Sequence, residues 1–247
     1  MPQDERPALS YRTNYESFSR EDRFIVPLLD HNIRELFQRY AASQAGPHRV
    51  LDVGCGGQPF RAIVEHSGSC YMSLDTRQNE QGTVDIITCI DEPLPAALLE
   101  QSPFQFVFCT EVLEHVADWP RAFKNLASLM SKGGHLLITC PFFYPLHEEP
   151  YDFWRPTHHA IRYFAEESGL RIVECRRAGG PWDVLGTLLG GARLKSRDSR
   201  LFAKIATGAA ILAHKVCYRL LSSGTLQQYV NCDSHLYLST IVIATKP

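Results

Sequence analysis

Closely spaced cysteines are missing from this sequence. Its 8 cysteines stand singly, with no Cys-x-x-Cys pair, and several lie inside apolar runs. The disulfide frameworks of small secreted domains and structural zinc sites both need cysteines at short, regular spacings. We therefore expect reduced, mostly buried thiols and a cytoplasmic protein.

The sequence also has little excess charge of either sign. Its 25 Lys and Arg against 27 Asp and Glu give a formal net charge of −2, which is not the basic footprint of a nucleic-acid-binding domain. The first nine residues have no apolar core, so no secretory signal is expected. The most apolar stretch, 205–221, is interrupted by His214, Lys215 and Arg219 and is predicted to be too short to span a bilayer.

What the chain does contain is an alternation of short apolar runs and helical patterns. Its 247 residues, 45% of them hydrophobic, can bury one large core. Such alternation is typical of a parallel sheet covered by helices on both faces. We therefore predict one doubly wound α/β domain over residues 1–247. Strands are predicted at 49–53, 70–74, 84–87, 104–109, 135–139, 171–176 and 236–245, and helices between them at 59–67, 94–101, 117–131 and 157–168.

Two helical additions accompany this predicted core. After a polar, loose start, apolar residues at intervals of three and four predict a helix from Arg20 to Ala42 with Ser19 as its N-cap. Before the last strand, a connection far longer than a hairpin loop contains a second helical pattern. The predicted parts are a helical cap (1–46), a core (47–178), a helical insertion (179–233) and a final strand (234–247).

A glycine-rich loop, residues 51–57 (LDVGCGG), follows the first predicted strand. Glycine lets the backbone approach a ligand closely, and the next helix presents its N-terminus to an anionic group. Asp75 ends the second strand, where a carboxylate can accept hydrogen bonds from both hydroxyls of a ribose. Together they predict a nucleoside cofactor. Pro59 stands where the dinucleotide fingerprint has its third glycine, so NAD is disfavoured.

Four segments in order resemble the class I S-adenosylmethionine-dependent methyltransferases. They are residues 50–56 (VLDVGCG), 74–75 (LD), 109–116 (CTEVLEHV) and 132–137 (KGGHLL), and the resemblance covers roughly residues 46–178 and the last strand. It implies S-adenosylmethionine as the cofactor. It also implies a Rossmann-like, seven-stranded, mostly parallel sheet with helices on both faces and an antiparallel last strand.

The same resemblance assigns cofactor-binding roles to single residues. It implies that Asp52 and Gly54 lie against the methionine end of the cofactor and that Gly56 lets the adenosyl group pass. Asp75 would bind the ribose hydroxyls. The backbone of Thr110, at the tip of the fourth strand, would meet the methionine amine.

The residues expected at the adenine end of the cofactor depart from the family pattern. The position where the family usually carries an acidic residue is Cys89 here, and Asp91 stands two residues later. We assign the adenine amino group to Asp91, with the backbone of Ile90 as the alternative.

Residues 111–115 (EVLEH) have a second interpretation. They resemble the ExxEH segment through which some quinone-biosynthesis and small-RNA methyltransferases bind a divalent cation. Glu111, Glu114 and His115 could converge on one helical face. The same residues also cap a helix in relatives that bind no metal, and we predict no metal site.

The segment after the fifth predicted strand is rich in aromatic residues. Residues 142–164 hold 8 of the chain's 26 aromatics, at the sheet edge where ligands bind in such folds. We predict a wall and lid for the acceptor, in which Phe143, Tyr151, Trp154 and Arg155 bind the substrate, with Arg155 holding an anionic group. The alternative is a packed corner whose aromatics face the core.

Methyl transfer is an in-line displacement, so positioning supplies most of the acceleration. A hydroxyl acceptor also needs a base, and His147 is the candidate, with Asp152 as its orienting partner. We predict methyl transfer from S-adenosylmethionine to a small-molecule, lipid-like or sugar acceptor, with oxygen favoured, and no nucleic-acid partner. A non-catalytic, methyltransferase-like scaffold module is the alternative.

The insertion is basic, with seven Lys and Arg against two Asp between residues 183 and 224. One interpretation is a helical cover that completes the acceptor pocket. The other is a basic amphipathic helix within 193–221 that makes a peripheral contact with an anionic membrane. The oligomeric state is left open.

Overall fold

The computed structural model describes Tyr15 and residues 19–42, 46–196, 200–230, 232 and 235–247. The predicted loose start of the chain falls mainly outside these residues. The strands are β1 (Arg49–Val53), β2 (Cys70–Asp75), β3 (Ile86–Ile87), β4 (Phe104–Thr110), β5 (Met130–Pro141), β6 (Arg171–Ala178) and β7 (Ser239–Thr245). The helices are α1 (Val26–Phe37), α2 (Arg61–His66), α3 (Ala96–Gln101), α4 (Trp119–Leu129), α5 (His158–Glu167), α6 (Pro181–Gly191), α7 (Leu201–Ser222) and α8 (Thr225–Tyr229).

The seven strands form one sheet in the order β3-β2-β1-β4-β5-β7-β6. Strands β1 to β5 pair in parallel, and β7 runs antiparallel between β5 and β6. The predicted fold class is confirmed. Val53, near the end of β1, pairs with Leu74 of β2 and Cys109 of β4. The strand order reverses between β1 and β4, and in open α/β sheets ligands bind outside the carboxyl ends at such a point.

The longer strands contribute side chains to two hydrophobic cores because successive side chains point to opposite faces of a sheet. Phe106 and Phe108 of β4 pack with the apolar face of α1, while Val107 and Cys109 pack with α4 on the other side. Both cores are closed to solvent along β4. The carboxyl edge of the sheet is therefore fixed between two packed helical layers.

The N-terminal helix is shorter than the sequence predicts. Ser19 was predicted as its N-cap, but the N-cap positions are Glu21 for a 3₁₀ turn (Asp22–Phe24) and Ile25 for α1, which begins only at Val26. Ser19 stabilises the preceding turn instead: its Oγ accepts from the Asp22 N–H at 3.1 Å, and its own N–H donates to Asp22 Oδ2 at 3.2 Å. Pro27 explains this start, since proline is favoured in the first helical turn and lacks the N–H needed further in.

The longest helix corrects the prediction for residues 205–221. Helix α7 begins at Leu201 and ends at Ser222, because Leu201 and Phe202 extend the apolar pattern before Lys204. Its 22 residues make it, by length and composition alone, long and apolar enough to cross a membrane. The expectation that this stretch is too short was therefore wrong.

Candidate active site

A cavity of about 300 Å³ lies at the carboxyl ends of β1, β2 and β4. This volume is within the range of small-molecule sites. Its wall includes every residue predicted to bind the cofactor: Asp52, Gly54, Gly56, Asp75, Asp91 and Thr110. The sheet edge thus brings together residues that are far apart in the sequence.

The glycine loop can take its shape only with glycine at position 54. Gly54 has a φ of +68°, and a Cβ there would lie 2.2 Å from Cγ2 of Val112. Its N–H donates to the Leu74 carbonyl at 2.8 Å, and the Gly56 N–H donates to Asp75 Oδ2 at 2.9 Å. The loop is therefore locked onto the end of β2 with its backbone open to the cavity, which fits close approach by a nucleoside cofactor.

Two carboxyl groups form the floor of the cavity. Asp75 is buried, and its Oδ1 accepts the Thr76 N–H at 2.7 Å. Asp52 is also buried and accepts a hydrogen bond from the Tyr71 hydroxyl at 2.6 Å. Burial raises the pKa of Asp52 to about 7; the Tyr71 hydrogen bond acts in the opposite direction, and the nearby Asp75 charge adds to the rise. A cationic amine or sulfonium beside this floor would favour the ionised carboxylates.

The side predicted for adenine is lined by Cys89, Ile90 and Asp91. The Ile90 carbonyl already accepts a hydrogen bond from Asn125 Nδ2 at 2.7 Å. Asp91 Oδ2 accepts the Asp118 N–H at 3.3 Å. Both alternatives thus lie at the wall, and Asp91 stays the predicted partner of the adenine amino group.

The opposite wall comes from the N-terminal cap, which the sequence analysis missed. Ile25, Val26 and Leu29 line the cavity together with Asp22. Asp22 Oδ1 accepts the hydroxyl of Tyr144, another wall residue, at 2.5 Å. No motif marks these positions; their helical spacing predicts only that one face is buried.

His147 lines the same cavity and is held by Asp152. Asp152 Oδ2 accepts the His147 backbone N–H at 2.9 Å and lies 3.4 Å from Nδ1. The Pro145 carbonyl lies 3.3 Å from Nδ1, and an Arg155 nitrogen 3.4 Å from it. Because two acceptors and one donor face Nδ1, we assign its proton there, which leaves the Nε2 lone pair available.

The electrostatics keep this imidazole neutral and its partner ionised. Burial lowers the pKa of His147, and the neighbouring His115 lowers it further, against the opposing effect of Asp152. Burial alone would raise the pKa of Asp152, but hydrogen bonds from Arg155 and the His147 backbone hold it below its usual value. A neutral imidazole next to a carboxylate is the arrangement of a general base and its orienting group.

Arg155 has partners other than those predicted. Its terminal nitrogens donate to the two oxygens of Asp152 at 2.5 and 2.6 Å, and its Nε donates to the Tyr144 carbonyl at 3.2 Å. In such a bidentate pair the two terminal nitrogens of the guanidinium are already hydrogen-bonded to the carboxylate of Asp152. In this structure Arg155 braces the lid, and the anion-binding role stays a prediction.

Three further predicted substrate residues do not reach the cavity wall among the described residues. Phe143 packs against the core on the α1 side of the sheet. The Tyr151 carbonyl lies 3.0 Å from His115 Nδ1, and the Trp154 indole donates to the Val116 carbonyl at 2.8 Å. Of these three, only Phe143 packs as the corner alternative describes, since Trp154 is 45% exposed and Tyr151 is half-buried. Their substrate-binding roles stay predictions, and Tyr144, His147 and Glu148 line the cavity instead.

The segment 111–115 does not form the shared helical face considered for a metal. Glu111 has a φ of +54°, and only Leu113–His115 form a 3₁₀ turn. The ligand atoms that come within 4.8 Å of one another belong instead to Glu114, His115 and His147. The lid thus supplies the third member in place of Glu111.

Glu114 is the buried member of this group. Burial raises its pKa well above the usual value, and the charge of Glu111 adds to the rise. Its Oε1 has no hydrogen-bond partner in the described part of the chain and lies 3.8 Å from His115 Nε2 and 4.0 Å from His147 Nε2. An ion bonded at about 2.1 Å to each would draw the ligand atoms to about 3.0–3.4 Å. The group could hold a divalent cation only after the Glu114 oxygen moved about 0.4–1.0 Å closer to each imidazole nitrogen.

The doubly wound sheet, the locked glycine loop and the acidic floor define a nucleoside-cofactor enzyme of the α/β class. A family model for a methyltransferase domain matches residues 21–174, more than half of the chain. The chain therefore belongs to this methyltransferase family, and it is an S-adenosylmethionine-dependent methyltransferase. The predicted enzyme class and cofactor are confirmed.

Curated relatives have low to moderate identity. The ubiquinone biosynthesis O-methyltransferase of Coxiella burnetii (strain RSA 493 / Nine Mile phase I) is 27% identical over 176 residues, covering 58% of this chain and 73% of that protein. A protein of the same name from Ralstonia nicotianae (strain ATCC BAA-1114 / GMI1000) is 30% identical over 100 residues, covering 37% of this chain and 42% of that one.

Solved structures share the fold. An S-adenosylmethionine-dependent methyltransferase from Archaeoglobus fulgidus superposes with a TM-score of 0.51 at 16% identity, covering 87% of this chain and 94% of that one. A putative sarcosine dimethylglycine methyltransferase from Galdieria sulphuraria gives 0.55 at 15% identity, covering 91% and 88%. At these identities the likeness concerns the fold alone.

Proposed function

We propose that this enzyme methylates a hydroxyl oxygen of a small or lipid-like acceptor, with His147 as general base. The observation that carries the proposal is that a neutral, Asp152-held imidazole faces the same cavity as the cofactor residues. Oxygen acceptors need such a base, whereas an amine can lose its proton after attack. The name of the curated relatives, ubiquinone biosynthesis O-methyltransferase, supports oxygen as the methylated atom.

The cofactor site would be held by the glycine loop, Asp52, Asp75 and Asp91. When bound, S-adenosylmethionine supplies an electrophilic methyl group on a sulfonium. These residues would orient the cofactor. Asp75 would accept hydrogen bonds from the ribose hydroxyls, and Gly54 would let the backbone approach the cofactor closely. The carboxylates also match a cation in charge.

The proton path uses only residues of the lid. Nε2 of His147 accepts the acceptor's hydroxyl proton as the oxygen attacks. Asp152 then stabilises the imidazolium through Nδ1, and Arg155 keeps Asp152 ionised. The His147 side chain is 30% exposed, so the proton can pass to water and reset the base. Such general-base assistance contributes about 10²–10⁴-fold.

The acceptor class follows from the cavity wall. Ile25, Val26 and Leu29 give the N-terminal side an apolar surface, and Tyr144 and Asp22 add polar groups near His147. We therefore favour an amphiphilic acceptor with an apolar portion and a hydroxyl.

The test is methyl transfer from radiolabelled S-adenosylmethionine to a panel of phenols, catechols, hydroxylated lipids and sugars, with products identified by mass spectrometry. His147→Gln should lower kcat by about 10²–10⁴-fold, and imidazole should partly restore His147→Ala. His159→Gln, an exposed histidine on α5, is the matched control and should keep full activity. The proposal fails if His147→Gln retains wild-type kcat, or if the label is recovered only on nitrogen or carbon.

A further inference from the structure

Helix α7 carries an exposed apolar face. Leu201, Phe202, Ile205, Leu212, Val216 and Leu220 are each between 46% and 82% exposed. Soluble surfaces rarely leave this many large apolar side chains contiguous without a partner. None of the described residues of the insertion lines the active-site cavity, so this face is not part of a pocket cover.

The opposite side of α7 is fastened to the domain. Up to Leu221 its less exposed positions are 203, 207, 211, 214, 218 and 221, which follow one stripe at intervals of three and four. Along this stripe His214 Nε2 lies 2.6 Å from the Leu189 carbonyl, and the Tyr218 hydroxyl donates to the Arg20 carbonyl at 2.9 Å. Leu221 at the far end is buried in the core. The helix is fastened to the domain through its C-terminal half, and its outer face lies opposite this stripe.

The charges of α7 lie along one edge of that outer face. At about 100° per residue, the large apolar side chains span a sector of about 100°. Lys204, Lys215 and Arg219 fall within about 60° beside it. Residues 184–230 contain seven Lys and Arg and a single acidic residue, Asp198. An apolar sector with a basic edge matches a bilayer surface with anionic lipids, and it offers no acidic partner for a second copy of this chain.

The contacts and charges of α7 favour a helix that lies on a membrane over one that crosses it. By length and composition α7 could span a bilayer, but spanning would have to break the contacts of His214 with α6 and of Tyr218 with the N-terminal cap. It would also bury Lys204 and Lys215 in hydrocarbon, which is costly. Lying in the interface keeps the contacts and leaves the cations at headgroup level.

We propose that α7 docks this enzyme on an anionic bilayer, in the plane of the interface. Helix α6 links α7 to the N-terminal cap, which lines the acceptor side of the cavity. A Cβ at Gly186 of α6 would lie 2.4 Å from Phe24 Cζ, and one at Gly190 would lie 2.7 Å from the Arg20 carbonyl oxygen. Asp22, in the same turn as Phe24, lines the cavity. Resting on the proposed function, the inference is that the docked enzyme takes its lipid-like acceptor from the membrane.

The experiment is vesicle co-sedimentation of the purified full chain. Binding is expected to vesicles of phosphatidylcholine with phosphatidylglycerol, and to be weaker with phosphatidylcholine alone. Leu212→Glu/Val216→Glu keeps good helix formers on α7 and should weaken binding about tenfold or more. Lys204→Gln/Lys215→Gln/Arg219→Gln should abolish the preference for anionic vesicles, since each cation near such a surface contributes roughly fivefold. Leu99→Glu, at an exposed leucine of α3, should bind as wild type.

Three outcomes would overturn the proposal. One is no binding to either vesicle type. Another is a dimer in solution that Leu212→Glu/Val216→Glu converts to monomer, since a second copy would then cover the face. The third is protein that resists extraction by high salt and carbonate, as a spanning helix would. Calorimetric binding of S-adenosylmethionine by each variant shows that it is folded and separates this test from the proposed O-methylation.

Discussion

Asp152 holds His147 at two points: Oδ2 accepts its backbone N–H at 2.9 Å and lies 3.4 Å from Nδ1. The four residues between them form a lid turn, and Arg155 donates two further hydrogen bonds to the same carboxylate. The position of the imidazole and the nitrogen that carries its proton are therefore set by the same side chain. This makes the lid a single unit in which changing one member should disturb the other two.

The first prediction concerns the pH dependence of kcat/KM. His147 must be neutral to accept a proton, and its pKa is lowered by burial and by His115. Activity should rise with pH along a limb whose midpoint lies below about 6.5, the ordinary histidine value, and be level at neutral pH. In Asp152→Asn a charge that raises the His147 pKa is lost, so the limb should move to still lower pH while kcat falls. A limb that stays fixed in Asp152→Asn contradicts the pairing.

The second prediction concerns stability. The folded-state pKa of Asp52 is about 7 against a usual value of 3.8, so the folded protein binds this proton more tightly. The free energy of unfolding should therefore fall as pH rises between these values, by roughly 4 kcal/mol at most. Asp52→Asn keeps an acceptor for Tyr71 and removes the titration, so its stability should exceed wild type increasingly towards about pH 8.

Urea unfolding of the apoprotein at about pH 5 and about pH 8 checks this. Glu100→Gln, an exposed carboxylate on α3, is the control and should follow the wild-type pH dependence. If wild type and Asp52→Asn lose stability in parallel as pH rises, burial of Asp52 is not the cause.

The third prediction concerns the glycine loop. Gly54→Ala combines a positive φ with a Cβ 2.2 Å from Val112 Cγ2, so it should cost about 1–3 kcal/mol and weaken cofactor binding. Adding Val112→Ala should recover the part of the stability loss that comes from the clash with Val112. The part that comes from the positive φ of residue 54 should remain. Gly208→Ala in α7, where a Cβ meets nothing within 4 Å, should instead stabilise by up to about 1 kcal/mol. Thermal unfolding and calorimetry measure both effects; equal costs at positions 54 and 208 would contradict the assignment.

The fourth prediction concerns metal removal. With His147 as base, dialysis against EDTA should leave methyl transfer unchanged. A loss of activity restored by Mg²⁺ or Zn²⁺, and abolished in Glu114→Gln, would instead make Glu114, His115 and His147 a metal site. The geometry would then have to close around the ion, and the base would have to be another group.

Much of this site follows from the sequence because its signals are local. The strand–glycine–helix order places Gly54 and Gly56, and a carboxylate ending the next strand places Asp75. His147 and Asp152 were predicted at the site because a proline-stiffened segment after β5 must lie at the carboxyl edge.

The missing parts depend on tertiary packing. Ile25, Val26 and Leu29 have helical spacing, which shows that a face is buried but not which surface it meets. Aromatic identity alone could not tell that Tyr144 faces the cavity while Trp154 hydrogen-bonds Val116. In α7 the spacing of Leu212 and Val216 predicts a helix with one apolar face. That face points away from the protein, because the domain contacts the opposite side of the helix.

The most direct test of the central claim is calorimetric titration of S-adenosylmethionine and S-adenosylhomocysteine into wild type, Asp75→Ala and Glu100→Ala. The account predicts micromolar binding of both ligands to wild type and to Glu100→Ala. It predicts that binding collapses in Asp75→Ala while the variant keeps its fold by circular dichroism. Folded wild type that binds neither ligand, or an Asp75→Ala variant that binds as tightly as wild type, would contradict the cofactor site described here.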